Sequence, residues 1–501
     1  MNAVPDSVAL RVPDGPDLVA RRVATGKPRR RLAWRLHSLF GLKLSLFLAF
    51  VCLTGTVATV SHEVQWLLLP EVRASGPVAT DADWGLMWES ARAAYPEGWV
   101  RSIGPFDRSD ASYFGKAAAV ALPDGREITV MVDPATARVT GELSGVTLHS
   151  FVRGLHYYLF APGDWGFYLV TALGFVLAGS LVTGVLVYKR FWRGLAKRPR
   201  FGRDMRTWMG DLHRLAGVWS IPFVALISTT GMWYLVERVG VDWETPPPEA
   251  RALRVQPDAR TVEAWVAKAR AAMPELSITG VSLPWSDGEP VTVQGEWRAW
   301  LVRERTNAAY IDPSTGELLG LRVAHQLSAT ERWVHTADPL HFGNFAGVAG
   351  KLVWVAFGLV LTGLAASGAV INGRRLAGIK QPGIAGSWRR GLGLAMLPSL
   401  LLILAVPAWF YRGWDSGAGV AATPAGVVEA GGRPFRLWRT PEGWCASTTG
   451  RPPATLAFGL GGYVTNASFD AGRFCASAPA SLASSQVARI ARLSDRAVAA
   501  K

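Results

Sequence analysis

The sequence predicts a mainly α-helical integral membrane protein. Its expected core is a duplicated unit of membrane span, α+β domain and membrane span, to which a fifth span and a C-terminal exported region are added. Three observations predict this architecture: apolar segments as long as a bilayer is thick, Lys and Arg clusters at alternate ends of those segments, and similarity between the two halves. Half of the 501 residues are hydrophobic and the mean hydropathy is +0.18, which is apolar for a soluble protein.

Five segments are long enough to cross the hydrocarbon core, which takes about 20 apolar residues in a helix. The first has too long an apolar run for a signal peptide and no A-x-A site follows it, so we expect an uncleaved anchor. The five predicted spans are Leu39–Val60, Phe167–Tyr188, Leu215–Val236, Leu352–Ile371 and Leu392–Tyr411.

The basic residues indicate how these spans are oriented. Clusters occur in "GKPRRRLAWR" before the first span, in "YKRFWRGLAKRPRFGRDMR" after the second, and in "NGRRLAGIK" and "SWRRG" after the fourth. Such loops stay in the cytoplasm, so segments 61–166 and 237–351 and the C-terminal tail are expected in the periplasm, and the N-terminus in the cytoplasm. The expected location is the bacterial inner membrane. Because topology accounts for the net charge of +15, the lipid bilayer and not nucleic acid is the expected partner.

An internal repeat relates the two halves. Two segments carry the same glycine ladder, at 174, 179 and 184 and again at 358, 363 and 368, and "VDPATARVTGEL" returns as "IDPSTGELLG". Both copies begin and end inside, so the repeat is parallel and its pseudo-two-fold axis is expected along the membrane normal. At one constant offset, His37, Gly41, Thr54 and Gly55 correspond to His213, Gly217, Thr230 and Gly231.

These features divide the chain as follows. The predicted segments are a basic tail 1–36, a first span 37–62, an α+β domain 63–148, a histidine segment with the second span 149–190, a cytoplasmic loop 191–210, a third span 211–238, a second α+β domain 239–330, a histidine segment with the fourth span 331–373, a cytoplasmic loop 374–391, a fifth span 392–411 and a periplasmic region 412–501.

Histidines gather near the ends of the predicted spans. His37 and His213 are repeat equivalents on the cytoplasmic side, and a two-fold axis would bring them face to face. Histidine near a membrane core is uncommon and usually functional, and paired imidazoles from different helices hold haem iron in helical bundles. The alternative for each ring is a hydrogen bond to a lipid headgroup; zinc is a weaker alternative because no H-E-x-x-H motif occurs. His62 is expected at the interface and His325 at the surface.

The outer side carries two further pairs, His149 with His156 and His335 with His341. The residues themselves do not indicate which member of each pair binds a metal, and Pro339 is expected to break any helix before His341. Since His37 and His62 are 25 residues apart, or about 37 Å of helix, ligands at both faces predict one haem near each. Aromatic side chains could line the outer site or form an interfacial belt; they are Tyr157, Tyr158, Trp165 and Trp333.

The three cysteines include no CxxC pair, which excludes the usual zinc and iron–sulfur patterns. Cys52 lies within the first span and is expected to be a small apolar filler. Cys445 and Cys475 are 30 residues apart in the exported tail, where a disulfide is one of two expectations.

The chain resembles the PepSY-associated transmembrane family. The resemblance is carried by "LHSLFGLKLSLFLAFVCLTG", "GLHYYLFAPGDWG", "DLHRLAGVW", "DPLHFGNFAGVAGKLVW" and the two D-P-x-T segments, over about residues 30–375. It implies that the two α+β domains are PepSY-like. It also implies b-type haem, two groups in all, held by the histidines just named, and an iron-regulated inner-membrane protein that reduces periplasmic ferric siderophores.

On that expectation the protein is a di-haem oxidoreductase for iron uptake, whose substrate is a ferric siderophore or another Fe(III) chelate. No G-x-G-x-x-G follows a strand, so the electron donor is expected to be a separate cytoplasmic reductase or quinol. The principal alternative is a non-catalytic anchor whose PepSY domains bind a peptide or a protease. A transporter is a third hypothesis, although few polar residues occur in the spans.

Overall fold

A computed structural model describes residues 28–376, apart from 80–81, 108–110, 124–125, 144–145, 162–163, 189 and 241–242, and residues 420–495, apart from 422–424, 450–451, 461–462, 471, 479–481 and 483–487. The chain divides into two compact units. The first unit comprises residues 1–46, 175–225 and 364–399, and the second comprises 47–174, 226–363 and 400–501.

The described residues form ten α-helices. They are α1 Pro28–Lys43, α2 Ser45–Leu68, α3 Trp84–Ala94, α4 Leu148–Tyr158, α5 Trp165–Val187, α6 Met205–Trp219, α7 Ile221–Val239, α8 Ala259–Ala272, α9 Ala329–Phe342 and α10 Gly347–Leu376.

Three helical segments are long and apolar enough to cross a membrane: Ser45–Leu68, Trp165–Val187 and Asn344–Ile371. The helices α6 and α7 meet at an angle of 67° and form a fourth membrane span if they are taken together. The break falls at Ser220, two residues before Pro222, and proline disrupts a continuing helix because it lacks an N–H donor. Of the five predicted spans, Leu392–Tyr411 lies outside the described residues.

The prediction of a mainly α-helical protein with five membrane spans is wrong. Besides the three or four spans, the described residues contain two large antiparallel sheets of eight strands each. Short alternating strands give a weaker sequence signal than a 20-residue apolar run, so the pattern understated the β-structure. The strands are β1 Trp99–Pro105, β2 Lys116–Ala121, β3 Glu127–Val132, β4 Val139–Leu143, β5 Ser277–Ser282, β6 Val291–Glu296, β7 Asn307–Ile311, β8 Leu318–Arg322, β9 Val420–Ala421, β10 Ala425–Ala430, β11 Arg433–Thr440, β12 Gly443–Thr448, β13 Thr455–Leu460, β14 Tyr463–Asp470, β15 Arg473–Ser477 and β16 Ala488–Ser494.

The first sheet joins both copies of the repeat. Its strand order is β4-β3-β2-β1-β5-β6-β7-β8, with β1 antiparallel to β5 at the centre. Ile103 pairs with Val281 there, and a Cβ on Gly280 would stand 3.0 Å from the Cα of Gly104. Only glycine allows this approach of the two strands. The sheet therefore has its own pseudo-two-fold axis between β1 and β5.

Two helices pack beside each other at this sheet, one from each copy. α3 presents Trp84 and Trp88, and α8 presents Trp265; all three are fully or almost fully buried in one core with the sheet. A Cβ on Gly85 would collide with the carbonyl oxygen of Ala259, so the helices touch through backbone. Both helices start with an aspartate N-cap, Asp83 on Leu86 and Asp258 on Thr261, which satisfies backbone donors of the first turn.

The second sheet belongs to the C-terminal region, in the order β10-β11-β12-β15-β14-β13-β16-β9. Cys445 of β12 and Cys475 of β15 lie directly opposite each other and form a disulfide, with Cα atoms 4.1 Å apart. This sheet is attached to the loop that follows β5. Val464 donates its backbone N–H to Trp285 and accepts one from Asp287, at 2.7 and 3.1 Å.

Candidate functional site

The first unit brings His37 of α1 and His213 of α6 together. Their ring centroids are 6.5 Å apart and their planes meet at 75°. Each residue lies on the helix that precedes an apolar helix: α1 ends at Lys43 before α2, and α6 ends at Trp219 before α7. Two imidazoles bound on opposite sides of one metal ion have ring centroids roughly 6–6.5 Å apart, because metal–imidazole bonds are about 2 Å long.

Each of these two rings is held through Nδ1 by a hydroxyl group at the same place in the repeat. His37 Nδ1 lies 3.1 Å from Thr183 Oγ1 and 3.1 Å from the carbonyl oxygen of Ser180. His213 Nδ1 lies 2.8 Å from Ser367 Oγ. The glycine after each hydroxyl residue lies against the ring: Cβ atoms on Gly184 and Gly368 would stand 3.4 and 3.8 Å from the imidazoles.

The second unit contains the matching outer arrangement. His156 of α4 has Nδ1 3.0 Å from the carbonyl oxygen of Val51 and 3.3 Å from Thr54 Oγ1. His341 of α9 has Nδ1 2.8 Å from Thr230 Oγ1. Thr54 and Thr230 are repeat equivalents, so both outer histidines are held by the same residue type at the same position.

Glycine also makes room for an outer ring. A Cβ on Gly55 would stand 2.7 Å from His156 Cε1, so His156 packs directly on the backbone of α2. Gly217, which lies one turn after His213, does not face a histidine, since a Cβ there would meet Leu364. Glycines 55, 184 and 368, and not Gly217, are therefore the ones that accommodate imidazoles.

The hydroxyl partners determine which nitrogen of each ring carries the proton. Each hydroxyl donates its single hydrogen to a carbonyl oxygen of its own helix, as Thr230 does to Leu226 at 2.9 Å. Each can therefore only accept from histidine, so Nδ1 carries the hydrogen in the neutral ring and Nε2 keeps its lone pair. None of the four Nε2 atoms has a hydrogen-bond partner within the described ranges. In all four neutral rings the lone pair of Nε2 is therefore left available, and the Nδ1 hydrogen bond fixes the orientation of the ring.

The other two outer histidines have different surroundings. His149 stacks on His62 with centroids 3.8 Å apart, and its Nδ1 lies 2.8 Å from Ser61 Oγ. His62 is buried and its Nε2 lies 3.0 Å from the carbonyl oxygen of Asp107. His149 and His156 lie on the same helix, α4. His325 is exposed, as expected.

His335 lies among ion pairs. Its Nε2 is 3.8 Å from Glu244, and Arg303 and Arg322 approach the same glutamate at 3.5 and 3.3 Å. Burial, reinforced by the neighbouring guanidinium groups, lowers the pKa of His335 to about 3, so the ring is neutral at pH 7. Its buried Nδ1 has no hydrogen-bond partner in the part of the chain that the structure describes.

The predicted aromatic lining is only partly near these histidines. Tyr157 lies beside His156, with centroids 5.9 Å apart, and 6.4 Å from Tyr234, which in turn lies 5.2 Å from His341. Trp165 is two-thirds exposed, and Trp333 packs on Trp233.

Sequence reasoning missed several residues of the site. The sequence does contain a pattern that indicates Thr183 and Ser367, because a hydroxyl residue precedes the last glycine of both ladders. Tyr234 and Asp338 carried no such signal, since their counterparts in the first copy are not of the same type. Among described residues, no three His, Cys, Asp or Glu side chains gather closely enough to hold a bare metal ion.

Apolar helices long enough to cross a bilayer, together with histidines brought close from repeated segments, define a class of membrane protein built from a duplicated unit. The family model for the PepSY-associated TM region matches residues 34–375, which is more than half of the chain. The chain therefore belongs to the PepSY-associated transmembrane family, and the resemblance inferred from its motifs is confirmed.

One relative of the chain is known from Pseudomonas aeruginosa under the name "Uncharacterized protein PA4219". It is 40% identical over 77 residues, which make up 15% of this chain and 19% of that protein. The chain thus spans about a fifth of that relative's length, and the relative's name states no activity.

Proposed function

We propose that this protein is an inner-membrane electron-transfer protein that carries two haem groups and reduces ferric siderophores or other Fe(III) chelates in the periplasm. His37 and His213 would hold one haem, and His156 and His341 the other. The observation that carries the proposal is the fourfold repetition of one arrangement: an imidazole whose Nδ1 is bound by a Thr or Ser hydroxyl and whose Nε2 is left available.

The residues fit haem in three respects. The donors are neutral imidazoles, which are common axial ligands of haem iron. The 6.5 Å separation of His37 and His213 agrees with the spacing of two imidazoles on one ion. Glycine faces three of the four rings, which lets these imidazoles pack directly on helix backbone and fixes where they lie. His149 and His335 are already engaged with His62 and Glu244, which favours His156 and His341 as the outer ligands.

Bound haem supplies one-electron chemistry; the chain's own part is to bind and orient it. The Nδ1 hydrogen bonds hold each imidazole in the tautomer that offers Nε2 and raise its basicity. The apolar helices around the histidines exclude water, which favours the less charged state of a buried site. By the topology that the basic clusters predict, His37 and His213 face the cytoplasm and His156 and His341 the periplasm.

The substrate gains one electron, so that Fe(III) in its cage becomes Fe(II). Hard oxygen ligands such as catecholates and hydroxamates hold the smaller, more highly charged ion much more tightly, and reduction therefore loosens the chelate. A cytoplasmic reductase or quinol is the proposed donor, because we find no dinucleotide-binding motif in the sequence.

Absorbance of the purified protein tests the proposal. Protein from haem-replete cells should show a Soret band that shifts on reduction with dithionite, with about two haems per chain. Colourless protein would overturn the proposal and would favour a PepSY module that binds a peptide or a protease.

The variant His213→Ala tests the pairing. It should insert into the membrane and lose about half of the Soret absorbance, because one of the two ligand pairs is broken. The matched control is His325→Ala, which removes an exposed imidazole and should keep both haems. Full haem content in a correctly inserted His213→Ala protein would contradict the assignment.

A further inference from the structure

A buried phenol connects His341 to a carboxylate. The ring of Tyr234 meets His341 edge to face, with centroids 5.2 Å apart and planes at 70°. Its hydroxyl donates to Asp338 Oδ1 at 2.9 Å. Tyr234 belongs to α7 and Asp338 to α9, so one hydrogen bond fixes the tyrosine against the helix that carries the histidine.

Asp338 is itself held in place by Arg303. The Nε atom of Arg303 lies 2.6 Å from Asp338 Oδ2, and the arginine side chain is only 11% exposed. Arg303 also donates its backbone N–H to the carbonyl oxygen of His335 at 3.0 Å. Although burial alone would raise it, the guanidinium of Arg303 lowers the pKa of Asp338, so Asp338 is a carboxylate at neutral pH.

Asp338 lies in a cluster of ionic side chains. Arg303 approaches Glu237 and Glu244 at 3.7 and 3.5 Å, and Arg322 shares Glu244. Asp338 is thus one of three carboxylates near Arg303 and Arg322, and Arg305 also acts electrostatically on it. Asp338 stands three residues before His341 on α9, which is one helical turn and about 5–6 Å between Cβ atoms.

His156, the other outer histidine, has a positively charged residue at the corresponding position of its helix. Arg153 stands three residues before His156 on α4, and its guanidinium lies over the ring of Tyr157, 4.5 Å from the centroid. The two outer ligands thus match in their Thr partners and differ in the charge one turn before them. Two equivalent ligands with different neighbouring charges give the protein a means of adjusting the potential of a redox group bound between them.

We propose that Asp338 is a positioning residue: held by Arg303 and linked through Tyr234, it fixes the plane of His341 and lowers the reduction potential of the haem bound at His156 and His341. The inference rests on the proposed function. A negative charge one turn from the ligand favours the oxidised, more positive iron, and a lower potential makes the outer site a stronger reductant for Fe(III) chelates.

Redox titration of the purified, haem-loaded full-length protein tests this. Asp338→Asn removes the charge while keeping the shape, and should raise one of the two midpoint potentials and leave the other unchanged. Asp338→Glu should return the potential towards that of the unmodified protein. Glu275→Gln is the control, because Glu275 is an exposed carboxylate that is likewise paired with an arginine, Arg298, and it should change neither potential.

Tyr234→Phe separates orientation from charge. It keeps Asp338 ionised and deletes the hydroxyl, so the low-temperature electron paramagnetic resonance signal of one haem should change, because that signal reports the angle between imidazole planes. Repeating both substitutions in the His213→Ala background assigns the changed signal to the outer site.

Failure of this inference is distinguishable from failure of the proposed function. Protein without haem overturns the proposed function. Haem-loaded Asp338→Asn and Tyr234→Phe proteins with both potentials and both resonance signals unchanged overturn the positioning role and leave the proposed function standing. If Asp338→Asn does not insert, Tyr234→Phe alone decides.

Discussion

Four imidazoles each have Nδ1 within hydrogen-bond distance of a Thr or Ser hydroxyl on another helix. Thr54, Thr183, Thr230 and Ser367 all donate to a backbone carbonyl within one turn, which leaves their lone pairs for histidine Nδ1. The hydroxyl therefore acts twice, as a local helix contact and as the acceptor that determines the histidine tautomer.

On the proposed function, Thr230→Val should weaken haem binding at the outer site by roughly 10- to 100-fold, the usual cost of losing a second-shell partner. The isosteric change removes only the hydroxyl that accepts from His341. Haem dissociation from detergent-purified protein, followed at the Soret band with an apoprotein acceptor, measures the effect.

Thr362→Val is the matched control, because among the described residues the hydroxyl of Thr362 bonds only the carbonyl oxygen of Gly358, at 2.8 Å. Equal haem loss from the two variants would show that the orientation of His341 does not depend on Thr230.

At the scale of single elements, α9 runs through Pro339 to Phe342, so the predicted break before His341 is wrong. Proline at position 339 cannot donate to the carbonyl oxygen of His335, four residues earlier. Arg303 supplies the missing N–H to that oxygen. A partner from the neighbouring loop thus removes much of the cost of an internal proline, and a single sequence gives no sign of such a partner.

The same helix should make stability depend on pH. His335 has a folded pKa of about 3 and an ordinary value near 6.5 when unfolded, so between these values the unfolded chain binds more protons. Stability should therefore be retained above pH 6.5 and fall as pH decreases towards 3, with a slope that approaches about 1.4 kcal/mol per pH unit. Apparent melting temperatures measured at pH 7 and pH 4.5 check this.

His335→Gln should reduce that acid sensitivity, because glutamine does not titrate. His325→Gln, at an exposed position, should leave it as it is. If the His335 variant loses as much stability as the unmodified protein between pH 7 and pH 4.5, the buried neutral ring is not its source.

Sequence patterns predict elements with very different success. The apolar runs of α2, α5 and α10 are unmistakable, because a continuous run of about 20 apolar residues is typical of a membrane-spanning helix and rare elsewhere. The repeat relates Thr54 to Thr230 and Gly55 to Gly231, and three of these residues, Thr54, Gly55 and Thr230, contact the outer histidines directly. The strands of the C-terminal region were not predicted, because short segments interrupted by glycine resemble loops in sequence.

At the scale of the whole molecule, Asp287 attaches the C-terminal sheet to the sheet of the repeat. Its carboxylate accepts from the hydroxyls of Tyr463 and Thr465 and the backbone N–H of Asn466, at 2.7, 3.0 and 3.3 Å. Arg254 approaches the same carboxylate at 3.5 Å. One loop side chain thus serves four partners, in the same unit of the chain.

Asp287→Ala should loosen this attachment by about 1–3 kcal/mol, since buried partners lose their hydrogen bonds. Hydrogen–deuterium exchange should speed up in β14 and in the loop after β5, while α3 and β2 keep their protection. Asp495→Ala, which removes an exposed partner of Arg433 on the same C-terminal sheet, serves as the control. Unchanged exchange in β14 of the Asp287 variant would contradict the assignment.

The pairing of β1 with β5 joins the two copies of the repeat in one continuous sheet. β1 and β5 satisfy backbone donors and acceptors of each other. Either copy alone would therefore expose an unpaired edge strand, which can pair with an extended segment of another chain. When both copies are in one polypeptide, each meets the other at a high effective concentration. β1 and β5 therefore pair before either edge can pair with another protein chain. Covalent linkage of the copies is therefore a safeguard against aggregation, and it leaves each half free to diverge in the charges beside its histidine.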